Sequence, residues 1–226
     1  MRRPFPSGPP PSIRDFMAFE EHVRSARAAT GRDGVPEAWY EAPAFYFSNP
    51  SAVYRDGDEL PKPADSAALD YELELACVIG VDGRPEGFTI MNDWSARDLQ
   101  AREMRVGLGP AKGKDFATSL GPVLVSPDEL PAELDMRAIA RVNGEVRTDS
   151  RTGGMYFSWA QLLDAAARNT PGLRPGDVIG SGTVGRGCIL EHGDGRWLQE
   201  GDAVELEIEG IGVLRNRIAS SARASV

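Results

Sequence analysis

Met91–Gly121 reads MNDWSARDLQAREMRVGLGPAKGKDFATSLG, and the division of this stretch decides the fold. Just upstream, Gly87–Met91 is an apolar run suited to a short strand. Ser95 followed three residues later by Asp98 has the pattern of a capping box, so a helix is expected to open at about Ala96. Asp93 then stands on the strand-to-helix corner. Arg97 and Gln100 share a face of that helix and, with Asp93, can point at one small object. Gly107, Gly109, Pro110 and Gly113 force a loop that delivers Lys112 and Lys114. So much polar chemistry exceeds what packing requires, although a capped surface helix followed by a solvated basic loop would read the same way.

Outward toward the N-terminus, Asp70–Ile79 has a two-residue period: Glu72 and Glu74 alternate with Tyr71, Leu73 and Leu75, placing both carboxylates on one face of a strand. Val204–Ile208 shows the same pattern with Glu205, Glu207 and Glu209, so periodicity alone does not separate a functional acid pair from a solvated edge. The first pair runs into Ala76-Cys77-Val78-Ile79, apolar on both faces, which puts Glu72 and Glu74 at the mouth of a buried strand. Two carboxylates held together in low dielectric repel unless a cation joins them.

Ser12 or Asp15 can cap a following helix whose apolar positions are Phe16, Phe19, Val23 and Ala26, and on a continuous helix Asp15 and His22 fall near one stripe. A lone histidine on such a helix is ordinarily a packing residue. Residues 31–69 read as loops crossing an active-site face, interrupted by an aromatic strand in PAFYFSNP at 43–50. Pro122–Val125 reads as a strand, Arg137–Arg147 as a hairpin turning at Asn143-Gly144, and Trp159–Arg168 as a helix capped by Ser158. The prolines at 4, 6, 9, 10 and 11 make the N-terminus an irregular arm. Gly180–Gly185 spells G-x-G-x-x-G, but the expected continuation is a strand and turn, with no helix to receive a pyrophosphate. Gly113-Lys114 lacks the first glycine of a P-loop, and no G-x-S-x-G elbow supports a serine nucleophile.

Composition bounds the function. A chain of 226 residues with 41% hydrophobic and 26% charged residues is a globular chain with room for a sizeable core. Its net charge of −9 argues against nucleic acid or an anionic membrane as partner and favours a small molecule. No apolar run reaches membrane-spanning length, and Met-Arg-Arg-Pro-Phe-Pro lacks a signal-peptide core, so a cytoplasmic location is expected. Cys77 and Cys188 lie in apolar runs and are expected to be reduced and buried.

MNDWSARDLQ and LGPAKGKDF, with YELELACVIG upstream, resemble the fumarylacetoacetate hydrolase family, and matching segments follow in order from Asp15 to Ile218. The resemblance implies an α+β, mainly β fold, a rolled β-sandwich with short peripheral helices. This catalytic domain would span 15–218, between a Pro-rich arm (1–14) and a C-terminal tail (219–226), and would form a homodimer. By the same resemblance Asp15, Glu72, Glu74 and Asp93 bind a divalent cation; four carboxylates make an all-oxygen site suited to Mg²⁺ first, with Mn²⁺ or Ca²⁺ as alternatives. His22 would be the base, oriented by Glu191. Arg97, Gln100 and Lys114 would hold carboxylate and oxyanion, and Thr183 would touch substrate. Met17 and Met104 stand where fumarylacetoacetate-cleaving members have tyrosines against the substrate, and the Gly80–Phe88 link is shorter than in many members. The activity implied is metal-dependent hydrolysis of a C–C bond in a 1,3-diketo acid, such as fumarylacetoacetate or an acylpyruvate, in aromatic amino acid catabolism. The alternative on the same site is decarboxylation or tautomerisation of a 2-oxo acid such as oxaloacetate.

Overall fold

The computed structural model describes residues 1–220. Most of the expected tail at 219–226 lies outside the described residues.

The centre of the molecule is an antiparallel pair, Leu73–Ile79 with Pro85–Asp93, joined by a tight link. Around it a seven-stranded sheet runs in the order Phe45–Ser48, Ile13–Phe16, Val178–Gly180, Leu73–Ile79, Pro85–Asp93, Thr118–Leu120, Val53–Tyr54. A five-stranded sheet lies against it, in the order Glu145–Arg151, Arg137–Val142, Ala203–Ile208, Gly212–Ile218, Glu59–Leu60. The result is a curled β-sandwich with, among the described residues, four short α-helices: α1 (Glu20–Ala29), α2 (Arg97–Met104), α3 (Trp159–Ala167) and α4 (Ile189–His192).

Strand alternation sorts the central sheet into two chemically different faces. Leu73, Leu75, Cys77 and Ile79 join Phe88, Ile90, Phe16 and Ile179 in the main core, which also takes Ala138, Leu206 and Leu214 from the second sheet. The opposite parity, Ala76, Val78, Met91, Ile13 and Val178, forms a smaller apolar cluster on the other face. Glu74, Asp93, Asp15 and Gly180 continue that second parity along the same four strands. Asp15 pairs with Gly180, Gly180 with Ala76, and Glu74 with Met91. The register therefore gathers three acids at one end of a face that is apolar at the other.

Ala203–Ile208 alternates half-buried and buried positions. Glu205 pairs with Arg215 and Glu207 with Arg141, so this second acid ladder is an ordinary outer face. The expected hairpin turns at Asn143-Gly144, with φ of 51° and 81°, and Ser158 closes a reciprocal capping box with Gln161 at the start of α3. Both cysteines are buried and free.

Four local expectations are corrected. Asp15 and His22 do not share a helix: Ile13–Phe16 is a strand hydrogen-bonded on both sides, and α1 begins only at Glu20. The Ser95–Asp98 capping box does not form. Ser95 is held in a short ladder opposite Asp70 and its hydroxyl donates to the Asp93 carbonyl, while Asp98 accepts from Ser66 Oγ and Ala67 N. The proline-rich arm is not wholly irregular, because Arg3–Pro4 pairs with Val123–Leu124 and Phe5 packs on the smaller apolar cluster. Finally, the run after the glycines at 180–185 contains a single helical turn, α4, where a strand was expected. Those glycines answer to packing: a Cβ on Gly180 would come within 2.6 Å of Asp15 Oδ1 and 2.9 Å of Glu74 Oε2.

Candidate active site

Asp15, Glu72, Glu74 and Asp93 are all buried, and one carboxylate oxygen from each lies within 4.8 Å of the others. Each arrives on its own backbone support: Asp15 on Ile13–Phe16, Glu74 on Leu73–Ile79, Asp93 at the end of Pro85–Asp93, and Glu72 on an isolated bridge to Cys188. Two cations reach part of the cluster. Lys114 Nζ bridges Glu72 Oε2 and Asp93 Oδ2, and Arg97 Nη2 donates to Glu72 Oε1 at 2.7 Å. Tyr46 donates its hydroxyl to the Asp93 carboxylate at 2.8 Å.

The remaining acids, Asp15 and Glu74, face each other, with the positive charge of Lys114 acting on Asp15. No donor reaches Asp15 Oδ1 or either oxygen of Glu74. Burial, followed by the neighbouring Asp93 charge, pushes the Asp15 carboxyl well above its ordinary range; burial and then Asp15 do the same to Glu74. Glu72 is the contrast. Burial would raise it, but Arg97 and Lys114 outweigh burial and hold it ionised. Buried acceptors without donors, converging from two strands beside the paired acids Glu72 and Asp93, are what a hard divalent cation satisfies, so the donor set fits Mg²⁺, Mn²⁺ or Ca²⁺. Burial alone would lower Lys114, yet Asp93 and Glu72 hold it well above its ordinary value, as a permanent cation.

Beside the acids, His22 on α1 places Nδ1 3.1 Å from Glu191 Oε2 on α4, a close approach bent off the straight hydrogen-bond line. Glu191 is fixed by Arg186 N, which donates to Oε1 at 3.0 Å, and by Cys188 Sγ at 3.4 Å from Oε2. Burial would raise Glu191, but the His22 contact and the Arg186 amide leave it below its ordinary range. His22 thus meets Glu191, and the Glu72–Cys188 bridge joins the Glu191 segment to the acids.

Arg97 is not an open fork. Nε donates to Asp70 Oδ2 at 2.8 Å, Nη1 to Gln100 Oε1 at 3.1 Å and Nη2 to Glu72. Gly113 lets the Lys114 loop settle on α2, since a Cβ there would sit 2.6 Å from Gln100 N. Thr183 is buried between Ser181 and Val184, whose amides donate to the Leu75 and Leu73 carbonyls of the acid-bearing strand. Met17 lies against Gly182 through its backbone and is 39% exposed, and Met104 is exposed at the end of α2. Sequence reasoning missed Asp70 and Tyr46. Asp70 shares the parity of Glu72 and Glu74 and was within reach of that argument; Tyr46, in an aromatic run, carried no signal.

A curled β-sandwich with converging acids at one mouth is the fold of the fumarylacetoacetate hydrolases, and the chain belongs to that family: residues 12–219 match the family model described as fumarylacetoacetate (FAA) hydrolase C-terminal. The chain is 33% identical over 192 residues to an oxaloacetate tautomerase of Bacillus subtilis (strain 168), aligning 79% of this chain with 62% of that protein. It is 35% identical over 214 residues to a mitochondrial oxaloacetate tautomerase of Bos taurus, covering 89% of this chain and 64% of that one. The chain thus spans under two thirds of the length of both relatives. Among solved structures, it superposes on fumarylpyruvate hydrolase from Pseudomonas aeruginosa, in complex with Mn²⁺ and pyruvate, with a TM-score of 0.74 and 25% identity over 95% of this chain and 98% of the other. Among the described residues no helix is long and apolar enough to cross a membrane.

Proposed function

We propose that the protein is a metal-dependent hydrolase that cleaves a C–C bond in a 1,3-diketo acid of the acylpyruvate or fumarylacetoacetate type. The observation that carries this reading is the His22–Glu191 pair, 3.1 Å apart, on the Glu72 side of the four acids: Glu72 feels the His22 charge and bridges Cys188, which contacts Glu191. Asp15, Glu72, Glu74 and Asp93 would hold the cation. When bound, it supplies Lewis-acid polarisation of the dicarbonyl and compensates the charge that develops there.

The chain's own residues account for the proton movements. Glu191, kept ionised, accepts from Nδ1–H of His22 and so leaves Nε2 with its lone pair. Nε2 takes a proton from water as the water oxygen bonds to one carbonyl carbon. When the C–C bond breaks, its electron pair leaves with the second fragment as an enolate, which regains the proton from the His22 imidazolium. One water is consumed, and the products are a carboxylic acid and an oxo acid, 2-oxo from an acylpyruvate and 3-oxo from fumarylacetoacetate. Lys114, a fixed cation beside Glu72 and Asp93, meets the negative charge developing on oxygen. Gln100 and Thr183 border the substrate.

A second reading, tautomerisation of a 2-oxo acid such as oxaloacetate, is favoured by the two curated relatives and needs no attacking water. Supplying the Mg²⁺- or Mn²⁺-loaded protein with an acylpyruvate and with oxaloacetate, and identifying products by NMR, separates the two. Cleavage to two acids supports the hydrolase, and enol–keto interconversion without cleavage supports the tautomerase.

A further inference from the structure

Helix α4 is a single turn and cannot hold Glu191 through its own hydrogen-bond ladder. Its N-cap residue, Cys188, makes no side-chain capping bond. The cap arrives from a distant part of the chain. Asp70 Oδ1 accepts from Ile189 N at 2.7 Å and Oδ2 from Leu190 N at 3.1 Å, satisfying the first two orphan donors of the turn. The same carboxylate receives Arg97 Nε, and Arg97 passes Nη2 to Glu72 Oε1. Asp70 is fully buried and Arg97 nearly so. A continuous chain of charged hydrogen bonds therefore runs from Glu72, among the acids, through Arg97 and Asp70 to the turn that carries Glu191. Alongside it, Glu72 bridges Cys188 and Leu73 N donates to Gly187 O at 3.0 Å. These backbone links place the segment, and the Asp70 bonds grip the turn itself.

Building on the hydrolase reading, we propose that Asp70 is a positioning residue. Through Arg97 it ties the turn bearing Glu191 to Glu72, and so sets His22 at a fixed place relative to the acid cluster. Nothing else about Asp70 calls for its chemistry: a buried strand end needs no carboxylate, yet this one accepts three bonds from two segments that each touch the site.

Asp70→Asn tests this, because it keeps the size but presents an amide nitrogen to groups that are themselves donors. Loss of such an outer partner is expected to lower kcat about 10–100-fold, with KM and cation affinity near those of the parent. In a Glu191→Gln background the same change should have no further effect on kcat, whereas a general structural role would cost the same in both backgrounds. A second readout does not depend on turnover. The chain has two histidines, so nitrogen NMR can resolve the His22 ring. The parent should show one tautomer protonated on Nδ1, and Asp70→Asn should show a mixture. Arg97→Lys, which keeps the charge and loses the fork, should also show the mixture, and it stands in if Asp70→Asn does not fold. A parent-like His22 spectrum in both variants, or equal kcat losses in the two backgrounds, would overturn the proposal. A parent protein that cleaves no diketo acid, while Asp70→Asn still mixes the His22 tautomers, would uphold the strut and remove the hydrolase reading.

Discussion

His22 Nδ1 stands 3.1 Å from Glu191 Oε2, although His22 rides on α1 and Glu191 on α4, the first and last α-helices among the described residues. Neither helix contributes to the acid cluster. The proposed base and the proposed cation ligands are therefore separable parts, and removing either should leave the other recognisable.

Chelation should abolish activity and lower the melting temperature, and Mg²⁺ or Mn²⁺ should restore both, since binding to the folded state alone stabilises it by mass action. Glu72→Gln should mimic chelation. Glu205→Gln, on the outer sheet beside Arg215, should not. Full activity after rigorous chelation would exclude the centre, and equal effects of the two variants would mean the wrong acid pair was chosen.

The stabilising effect of the cation should grow with pH. In the ion-free fold Asp15 and Glu74 keep their protons above the ordinary values of 3.8 and 4.5. A raised folded value contributes stability that is complete below the ordinary value and is lost as pH rises through the raised one. Glu72, held low, runs oppositely and favours the fold above its ordinary value. A bound cation takes the place of the two protons. Melting curves with and without Mg²⁺ should thus diverge from about pH 4 upward, and a constant gap across pH would contradict the assignment of Asp15 and Glu74.

Much of this was legible in the sequence, for reasons that can be named. Strand periodicity put Glu72 and Glu74 on one face, and family resemblance chose them over Glu205 and Glu207. The burial of the Leu73–Ile79 strand and the surface pairing of the second ladder now give the physical reason. What misled was local pattern without tertiary context. Phe16, Phe19 and Val23 have helical spacing, but strand neighbours on both sides of Asp15 override it. Ser95 and Asp98 spell a cap, but each is bonded elsewhere. The bonds from Asp70 to Ile189 and Leu190 join residues far apart in the chain, which no local pattern encodes.

Gly180→Ala should cost more at the site than in the fold. The added Cβ would press first on Met91 Cε, the far end of a flexible side chain, and then on Asp15 Oδ1 and Glu74 Oε2, at 2.6 and 2.9 Å. Overpacking of this kind destabilises by about 1–3 kcal/mol, and here the displaced atoms are proposed ligands. Isothermal titration should show weakened Mn²⁺ binding; unchanged affinity would place the cation away from this pair.

Lys114 and Arg97 should behave differently under substitution. Lys114→Ala removes a cation facing the developing oxyanion and should lower kcat by roughly 10²–10³-fold with little change in KM. Because the Arg97 fork is already filled by Asp70, Gln100 and Glu72, Arg97→Ala should depress kcat and cation affinity together. This differs from the grip on a substrate carboxylate that the family resemblance implies for Arg97. An Arg97→Ala enzyme changed in KM alone would restore the earlier role.

The most direct test of the central claim is to incubate the Mg²⁺-loaded protein with an acylpyruvate in heavy-oxygen water and weigh the products. If His22 activates water beside the acid cluster, one product carboxylate carries a single heavy oxygen from solvent. His22→Ala should then lose about 10²–10⁴-fold in rate while binding the cation as the parent does. Enol–keto exchange with no cleavage and no label, or an undiminished rate in His22→Ala, would contradict it.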